Sequence, residues 1–142
     1  MTDQPKTGGA QGYLRIATEE AFAPPDLLNQ YRKLLADGYD DPGFTSLWGF
    51  YLGSPSPRAT RIIERLQDLG EGRLRDMDER GIDRQVIAVT APGVQVLDRD
   101  AAVAMAVEAN DMLGEACLAH PDRYTGMAAS AGFCGAQAAM PV

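Results

Sequence analysis

The sequence predicts an α/β fold built on a parallel sheet. Segments 13–18 and 85–90 are short and contain β-branched residues, and segment 124–129 is a third candidate strand. Stretches with apolar residues at helical spacing lie between successive candidate strands. This order of strand, helices, strand, helix and strand folds as βαβ units with right-handed crossovers, so the strands are expected to run parallel.

The first half of the chain contains one predicted strand, one predicted helix and one predicted loop. Segment 13–18 follows a glycine-rich lead and predicts the first strand. Residues 24–26 are typical of a helix start and Gly38 of a helix end. Between them lies an apolar stripe of Leu27, Leu28, Tyr31, Leu34 and Leu35. From 40 to 57 glycine, proline, serine and aromatic residues show no sustained period, which predicts a long functional or disordered loop.

The second half has clearer periodicity. Helical spacing returns at Ala59, and a second helical piece runs from Gly70 to Gly81. Segment 85–90 is apolar and β-branched with little alternation, which is typical of an interior parallel strand. Asp98 or Asp100 can cap a long helix that ends before Pro121, and segment 124–129 follows it.

Composition excludes several classes of function. The formal net charge is −7 without a cluster of lysine and arginine, so neither nucleic acid nor an anionic membrane surface is an expected partner. Two cysteines, Cys117 and Cys134, do not make a disulfide framework, and no apolar stretch has the length of a membrane span. A cytoplasmic protein is the expectation.

Three segments are expected along the chain. Residues 1–12 are a polar, flexible lead, 13–129 carry the α/β pattern, and 130–142 form an alanine- and glycine-rich tail. No Asp, Glu, Lys or Arg follows Arg123, whereas folded surfaces carry interspersed charge. The composition of the tail therefore differs from that of the preceding segment, and we expect a frameshift or a truncation near residue 130.

Candidate site residues follow from the predicted sheet, because parallel α/β folds bind ligands at the carboxyl ends of their strands. Glu19 follows the first strand and Thr90 the second; the carboxylate suits a divalent metal or acid–base chemistry. Arg58 ends the long loop and suits a substrate carboxylate, and Tyr51 belongs to a cluster of aromatic residues there. From residue types alone, a solvated glutamate, a surface arginine and simple loop packing remain open alternatives.

Several blocks of sequence together resemble the 5-carboxyvanillate decarboxylases. This family belongs to the metal-dependent aromatic-acid decarboxylase branch of the amidohydrolase superfamily, which also includes the γ-resorcylate decarboxylases. The resemblance covers about residues 1–128, and the matching blocks occur in the same order and at the same spacing as in the family. Its blocks are 13–23 (YLRIATEEAFA), 46–51 (SLWGFY), 58–60, 64–66, 77–78, 81–83, 90–95 (TAPGVQ), 109–111 and 120–127 (HPDRYTGM).

The resemblance implies the amino-terminal part, about three βα units, of an amidohydrolase-type (β/α)₈ barrel. Such a barrel takes about 250 residues, more than this chain has. The resemblance also implies one divalent metal, Mn²⁺ or alternatively Zn²⁺, with Glu19 as a ligand and Tyr51, Arg58 and Thr90 in contact with a small aromatic carboxylic acid. Many relatives have a histidine two residues after that glutamate, where this chain has Ala21. The catalytic aspartate and the histidine ligand are expected in later strands, and full-length relatives are expected to form homo-oligomers.

The implied activity is non-oxidative decarboxylation of a hydroxylated aromatic acid, of the type that converts 5-carboxyvanillate to vanillate in lignin-derived aromatic catabolism. A single ligand does not hold a catalytic metal, so the 142-residue chain by itself is expected to be inactive. The alternatives are a metal-dependent hydrolase of amidohydrolase type and a non-catalytic fragment. Ala21 in place of a second ligand, together with Tyr51 and Arg58, favours decarboxylation over hydrolysis.

Overall fold

A three-stranded parallel sheet organises residues 12–131, which are the residues described by the computed structural model. Strands β1 (Ile16–Phe22), β2 (Arg84–Val89) and β3 (Tyr124–Gly126) lie in the order β1-β2-β3, and β2 pairs with both neighbours. The predicted α/β class and the interior position of β2 are therefore confirmed. The predicted lead, except Gly12, and the predicted tail from residue 132 onward lie outside the described residues.

Strand β1 does not lie where the sequence predicted it. It begins at Ile16 and continues to Phe22, whereas the prediction ended it at residue 18. The pairing with β2, which extends from Ile16 to Phe22 with a register shift between Ala17 and Glu20, provides backbone partners on one side of the strand, and burial of Phe22 fixes its carboxyl end. Glu19 therefore lies within the strand and not in a loop after it.

The predicted long loop at 40–57 is wrong, because most of it is a helix. The helices before β2 are α1 (Pro25–Ala36), α2 (Pro42–Gly53), α3 (Pro57–Gln67) and α4 (Glu71–Arg80). Asp41 caps α2, since its side chain accepts a hydrogen bond from the Phe44 backbone N–H at 2.8 Å, and Pro42 occupies the first helical turn. Phe44 and Trp48, one turn apart, are both buried and both contact the ring of Tyr31. This contact with α1 stabilises α2, whose glycines and proline are typical of a loop when only the sequence is considered.

The elements from α4 onward match the sequence closely. Helix α4 ends where Gly81 takes a left-handed conformation with φ of 65°. After β2, a short 3₁₀ turn spans Gly93–Val96, and α5 spans Arg99–Ala119 with Asp98 as its cap. Strand β3 is shorter than predicted, since only Tyr124–Gly126 pair with β2. Among the described helices, none is long and apolar enough to cross a membrane.

Two apolar clusters form the core. The first lies between one face of the sheet and helices α4 and α5, and its buried members are Phe22, Met77, Ile87, Ala109, Leu113 and Tyr124. The second joins α1, α2, α3, the 3₁₀ turn and α5, and its largest buried members are Leu27, Leu28, Tyr31, Phe44, Trp48, Ile63 and Met105. The second cluster includes Ala23 and Val94, which follow β1 and β2, so it packs at the carboxyl ends of these strands.

Candidate functional site

A register shift in β1 separates its two adjacent glutamates. Ala17 pairs with Gln85 and Glu20 with Ile87, so three residue steps of β1 span two of β2. Because paired residues of neighbouring strands share a face, Glu20 lies on the face of the buried Ile87. Alternation then places Glu19 with Ala21 on the opposite face, where Glu19 is exposed to solvent. Among the described residues, no member of either core cluster lies beside Glu19 on that face of β1.

Thr90 joins the carboxyl ends of β1 and β2. Its backbone N–H donates to the carbonyl of Phe22 at 2.8 Å, and its own carbonyl accepts from the Gly93 N–H at 2.8 Å. The first bond continues the strand pairing by one residue, and the second closes the turn that follows β2. Thr90 is therefore held at the edge of the sheet where parallel α/β folds bind ligands.

Tyr51 and Arg58 lie at the neighbouring ends of two helices. Tyr51 is half-buried in the last turn of α2, with its ring 6.2 Å from that of Trp48. Arg58 lies in the first turn of α3 and is exposed, and its guanidinium has no ion pair or hydrogen bond with another residue of the described segment. The adjacent Ala59 is fully buried and anchors that turn to the core. Arg58 is thus free to bind an external carboxylate with two parallel hydrogen bonds.

The four predicted site residues form two pairs. Glu19 lies in β1 and Thr90 directly follows the adjacent β2, whereas Tyr51 lies in the last turn of α2 and Arg58 in the first turn of α3. Glu19 provides a carboxylate oxygen of the kind that Mn²⁺ binds. Within residues 12–131, however, no three His, Cys, Asp or Glu side chains are grouped to hold a metal ion. The described part of the chain therefore contains no complete set of metal ligands, and Glu19 offers one donor of a suitable type.

Arg73 is a buried residue of this region that the sequence analysis missed. Its guanidinium donates to the carbonyls of Asp68 at 2.6 Å, Ala21 at 2.8 Å and Arg65 at 3.2 Å, and to the side-chain oxygen of Gln85 at 3.2 Å. It thereby connects β1, β2, α4 and the end of α3, and its burial lowers the pKa of the guanidinium. The sequence offered one indication that Arg73 is buried, since it lies one helical turn before the buried Met77.

The cavity beside Arg73 is separate from the predicted site. It has a volume of about 520 Å³ and lies on the helix side of β1, between α3 and α4. Glu20, Arg73 and Gln85 line it, whereas Glu19, Tyr51, Arg58 and Thr90 do not. The two glutamates of β1 thus belong to different environments.

Asn110 is a second residue whose role the sequence analysis did not predict. Its side-chain amide donates to the carbonyl of Ala129 at 3.0 Å, and its side-chain oxygen accepts from the Ala129 N–H at 2.7 Å. These two bonds hold the segment after β3 against α5. Asn110 therefore fixes the chain where it leaves the carboxyl end of the third strand.

Stability at high pH should depend on Tyr31. Burial raises the pKa of its hydroxyl above the ordinary value of 10.0. The unfolded chain therefore loses this proton first, and the free energy of unfolding should fall as the pH rises from about 10 towards the raised native pKa. Urea unfolding between pH 8 and 11 tests this, with a weaker decline expected for Tyr31→Phe than for the wild type. Tyr39→Phe, which alters another tyrosine against Phe44, is the control, and equal declines in all three proteins would contradict the assignment.

No protein-family model matches the chain. Comparisons with curated proteins and with solved structures, however, identify proteins that are similar to it. A γ-resorcylate decarboxylase from Rhodococcus jostii (strain RHA1) is 35% identical over 116 residues, which are 81% of this chain and 30% of that protein. A 5-carboxyvanillate decarboxylase from Novosphingobium aromaticivorans, solved with manganese and 4-hydroxy-3-methoxy-5-nitrobenzoic acid, is 55% identical with a TM-score of 0.83. That match covers 92% of this chain and 37% of the solved one.

A third relative is more distant. A dihydroxybenzoic acid decarboxylase from Polaromonas sp. JS666, solved with manganese and 2-nitroresorcinol, is 30% identical with a TM-score of 0.60. The match covers 84% of this chain and 30% of that one. The chain thus spans about a third of the length of the relatives that it matches.

Proposed function

We propose that this chain forms the amino-terminal third of a metal-dependent aromatic-acid decarboxylase, because it covers about a third of the decarboxylases that it matches. The observation that carries the proposal is the 55% identity with the N. aromaticivorans enzyme in a match that covers 92% of this chain. The whole enzyme is proposed to be a (β/α)₈ barrel that contains Mn²⁺. Its proposed substrate is a hydroxylated aromatic acid of the 5-carboxyvanillate type.

Each predicted site residue has a proposed task. Glu19 provides one oxygen ligand from the open face of β1, and bound Mn²⁺ supplies Lewis-acid polarisation of the substrate oxygens. Arg58 lacks an ion pair within the described residues, so its guanidinium can hold a substrate carboxylate in a fixed orientation. Tyr51 and Thr90 are proposed to contact the aromatic ring of the substrate.

The rest of the reaction is proposed to depend on residues other than those of the described segment. Decarboxylation needs an acid that protonates the ring carbon bearing the carboxylate, after which the C–C bond breaks and CO₂ leaves with the electrons returning to the ring. We assign that acid to an aspartate of a later strand. Within the described residues the proposed work of this chain is to bind and orient the substrate and to contribute one metal ligand.

Decarboxylation is favoured over metal-dependent hydrolysis by the surroundings of Glu19. Ala21 lies on the same face of β1, two residues after Glu19, at the position where the family resemblance implies a histidine in many relatives. A methyl group there does not ligate a metal. Fewer ligands from β1 leave coordination positions for the substrate's own oxygens, which supports the chelating role that decarboxylation requires.

A chimera tests the proposed function. Residues 12–131 of this chain replace the equivalent part of the N. aromaticivorans enzyme, and CO₂ release from 5-carboxyvanillate is measured with added Mn²⁺. We expect turnover by the chimera and none by the 142-residue chain assayed alone, because residues 12–131 group no complete ligand set, whereas the chimera adds the later strands of the solved enzyme. A folded, manganese-loaded chimera that releases no CO₂ would contradict the proposal, and turnover by the chain alone would show that its site is complete.

A further inference from the structure

Tyr31 holds the turn that follows β2. It is completely buried in α1, and its hydroxyl donates to the carbonyl of Gly93 at 2.8 Å. Gly93 has a positive φ of 66°, and its N–H closes the turn by donating to the carbonyl of Thr90. Two hydrogen bonds therefore stabilise the turn. One lies within the turn, and the other comes from Tyr31 in α1, which is distant in the sequence.

The ring of Tyr31 contacts a second element of the candidate site. Its centroid lies 4.7 Å from that of Trp48 in α2, and the Trp48 ring lies 6.2 Å from that of Tyr51. The rings of Tyr31 and Trp48 are both buried, so their relative positions are fixed by close packing. One side chain thus contacts the turn that begins at Thr90 and the helix that carries Tyr51.

We propose that Tyr31 is a positioning residue, whose hydroxyl fixes the Thr90 turn relative to the Tyr51 helix across the substrate site. The role assigned to Thr90 and Tyr51 rests on the proposed function, whereas the contacts of Tyr31 do not. Ring packing explains why an aromatic residue occupies this position in the core. It does not explain the hydroxyl, whose one hydrogen bond among the described residues is to Gly93.

The substitution Tyr31→Phe separates these two roles, because it keeps the ring and removes the hydroxyl. The carbonyl of Gly93 then loses its partner, and the turn should open more often. We expect the Gly93 amide to exchange hydrogen about tenfold faster in this variant, beyond any change in the amides of β2 and α5. Tyr39→Phe is the matched control, since Tyr39 also packs against Phe44 and its hydroxyl donates to no residue of the turn within the described segment.

The exchange experiment is carried out on the 142-residue chain and on the chimera. An increase confined to the turn supports the positioning role. An unchanged Gly93 amide, or an equal increase in all amides, would overturn it, because the hydroxyl would then contribute only to general stability. Neither outcome depends on catalytic activity, so the result is distinguishable from a failure of the proposed function.

The chimera gives a second readout. A loosened Thr90 turn should raise KM for 5-carboxyvanillate several-fold and lower kcat less, because the reacting groups on the metal are unchanged. Tyr39→Phe should leave both constants within about twofold. A Tyr31→Phe chimera with wild-type KM would overturn the positioning role even if the exchange rates differ.

Discussion

Arg73→Met is expected to lower the free energy of unfolding by about 3 kcal/mol. The substitution keeps a long apolar side chain and removes every donor of the guanidinium. Four acceptors then lose a charged partner in a partly buried region. They are the backbone carbonyls of Ala21, Asp68 and Arg65 and the side-chain oxygen of Gln85. Hydrogen bonds to charged groups contribute more than neutral ones, and acceptors left without partners carry a desolvation cost.

The loss should stay below the sum of four charged hydrogen bonds. The cavity of about 520 Å³ beside Arg73 admits water, which can reach some of the abandoned acceptors. Removal of a buried charge also relieves its own desolvation cost, which offsets part of the lost bonding. Arg73→Lys should recover only part of the stability, because an ammonium group does not span carbonyls on β1 and α3 together.

Urea unfolding followed by circular dichroism measures this effect. Arg75→Met is the matched control, since Arg75 lies on the same helix and is exposed. It should change the free energy of unfolding by less than about 0.5 kcal/mol. Equal effects of the two substitutions would show that water satisfies these acceptors as well as Arg73 does.

Local signals explain which elements the sequence predicted well. Helices α3 and α4 have apolar stripes and end near glycine, and α5 has a capping aspartate at Asp98, so each carries its boundaries in its own residues. Strand β2 contains the continuous apolar run Val86–Val89, in which Ile87 is buried. Helix α2 also has a capping aspartate, Asp41, but its three glycines are typical of loops, and its stability depends on packing against Tyr31.

The candidate site was only partly accessible from sequence. Residue types identified Glu19 and Thr90 as polar groups near strand ends, but the metal and substrate roles depended on the family resemblance. The register shift that separates Glu19 from Glu20 arises from pairing with β2, which is far away along the chain. The contacts of Arg73 and Tyr31 likewise join distant segments, so no local pattern specified them.

Glu19→Gln should reduce CO₂ release by the chimera by about a thousandfold. A neutral amide is a much weaker ligand than a carboxylate for a hard divalent cation, and loss of the metal removes several kcal/mol of transition-state stabilisation. The effect should appear both in turnover and in the manganese content of the purified protein, which metal analysis measures independently of activity.

Glu20→Gln is the sharpest control, because it makes the same chemical change one residue away. The register shift places Glu20 on the helix face of β1, where it lines the cavity with Arg73, so the variant should retain manganese and keep turnover within about threefold. A modest loss of stability is expected, since Glu20 is a favourable charge near Arg73. If Glu20→Gln loses the metal while Glu19→Gln retains it, the faces of β1 are assigned the wrong way round. If both variants retain it, neither glutamate of this strand is a ligand, and the proposed contribution of β1 to the metal site is wrong.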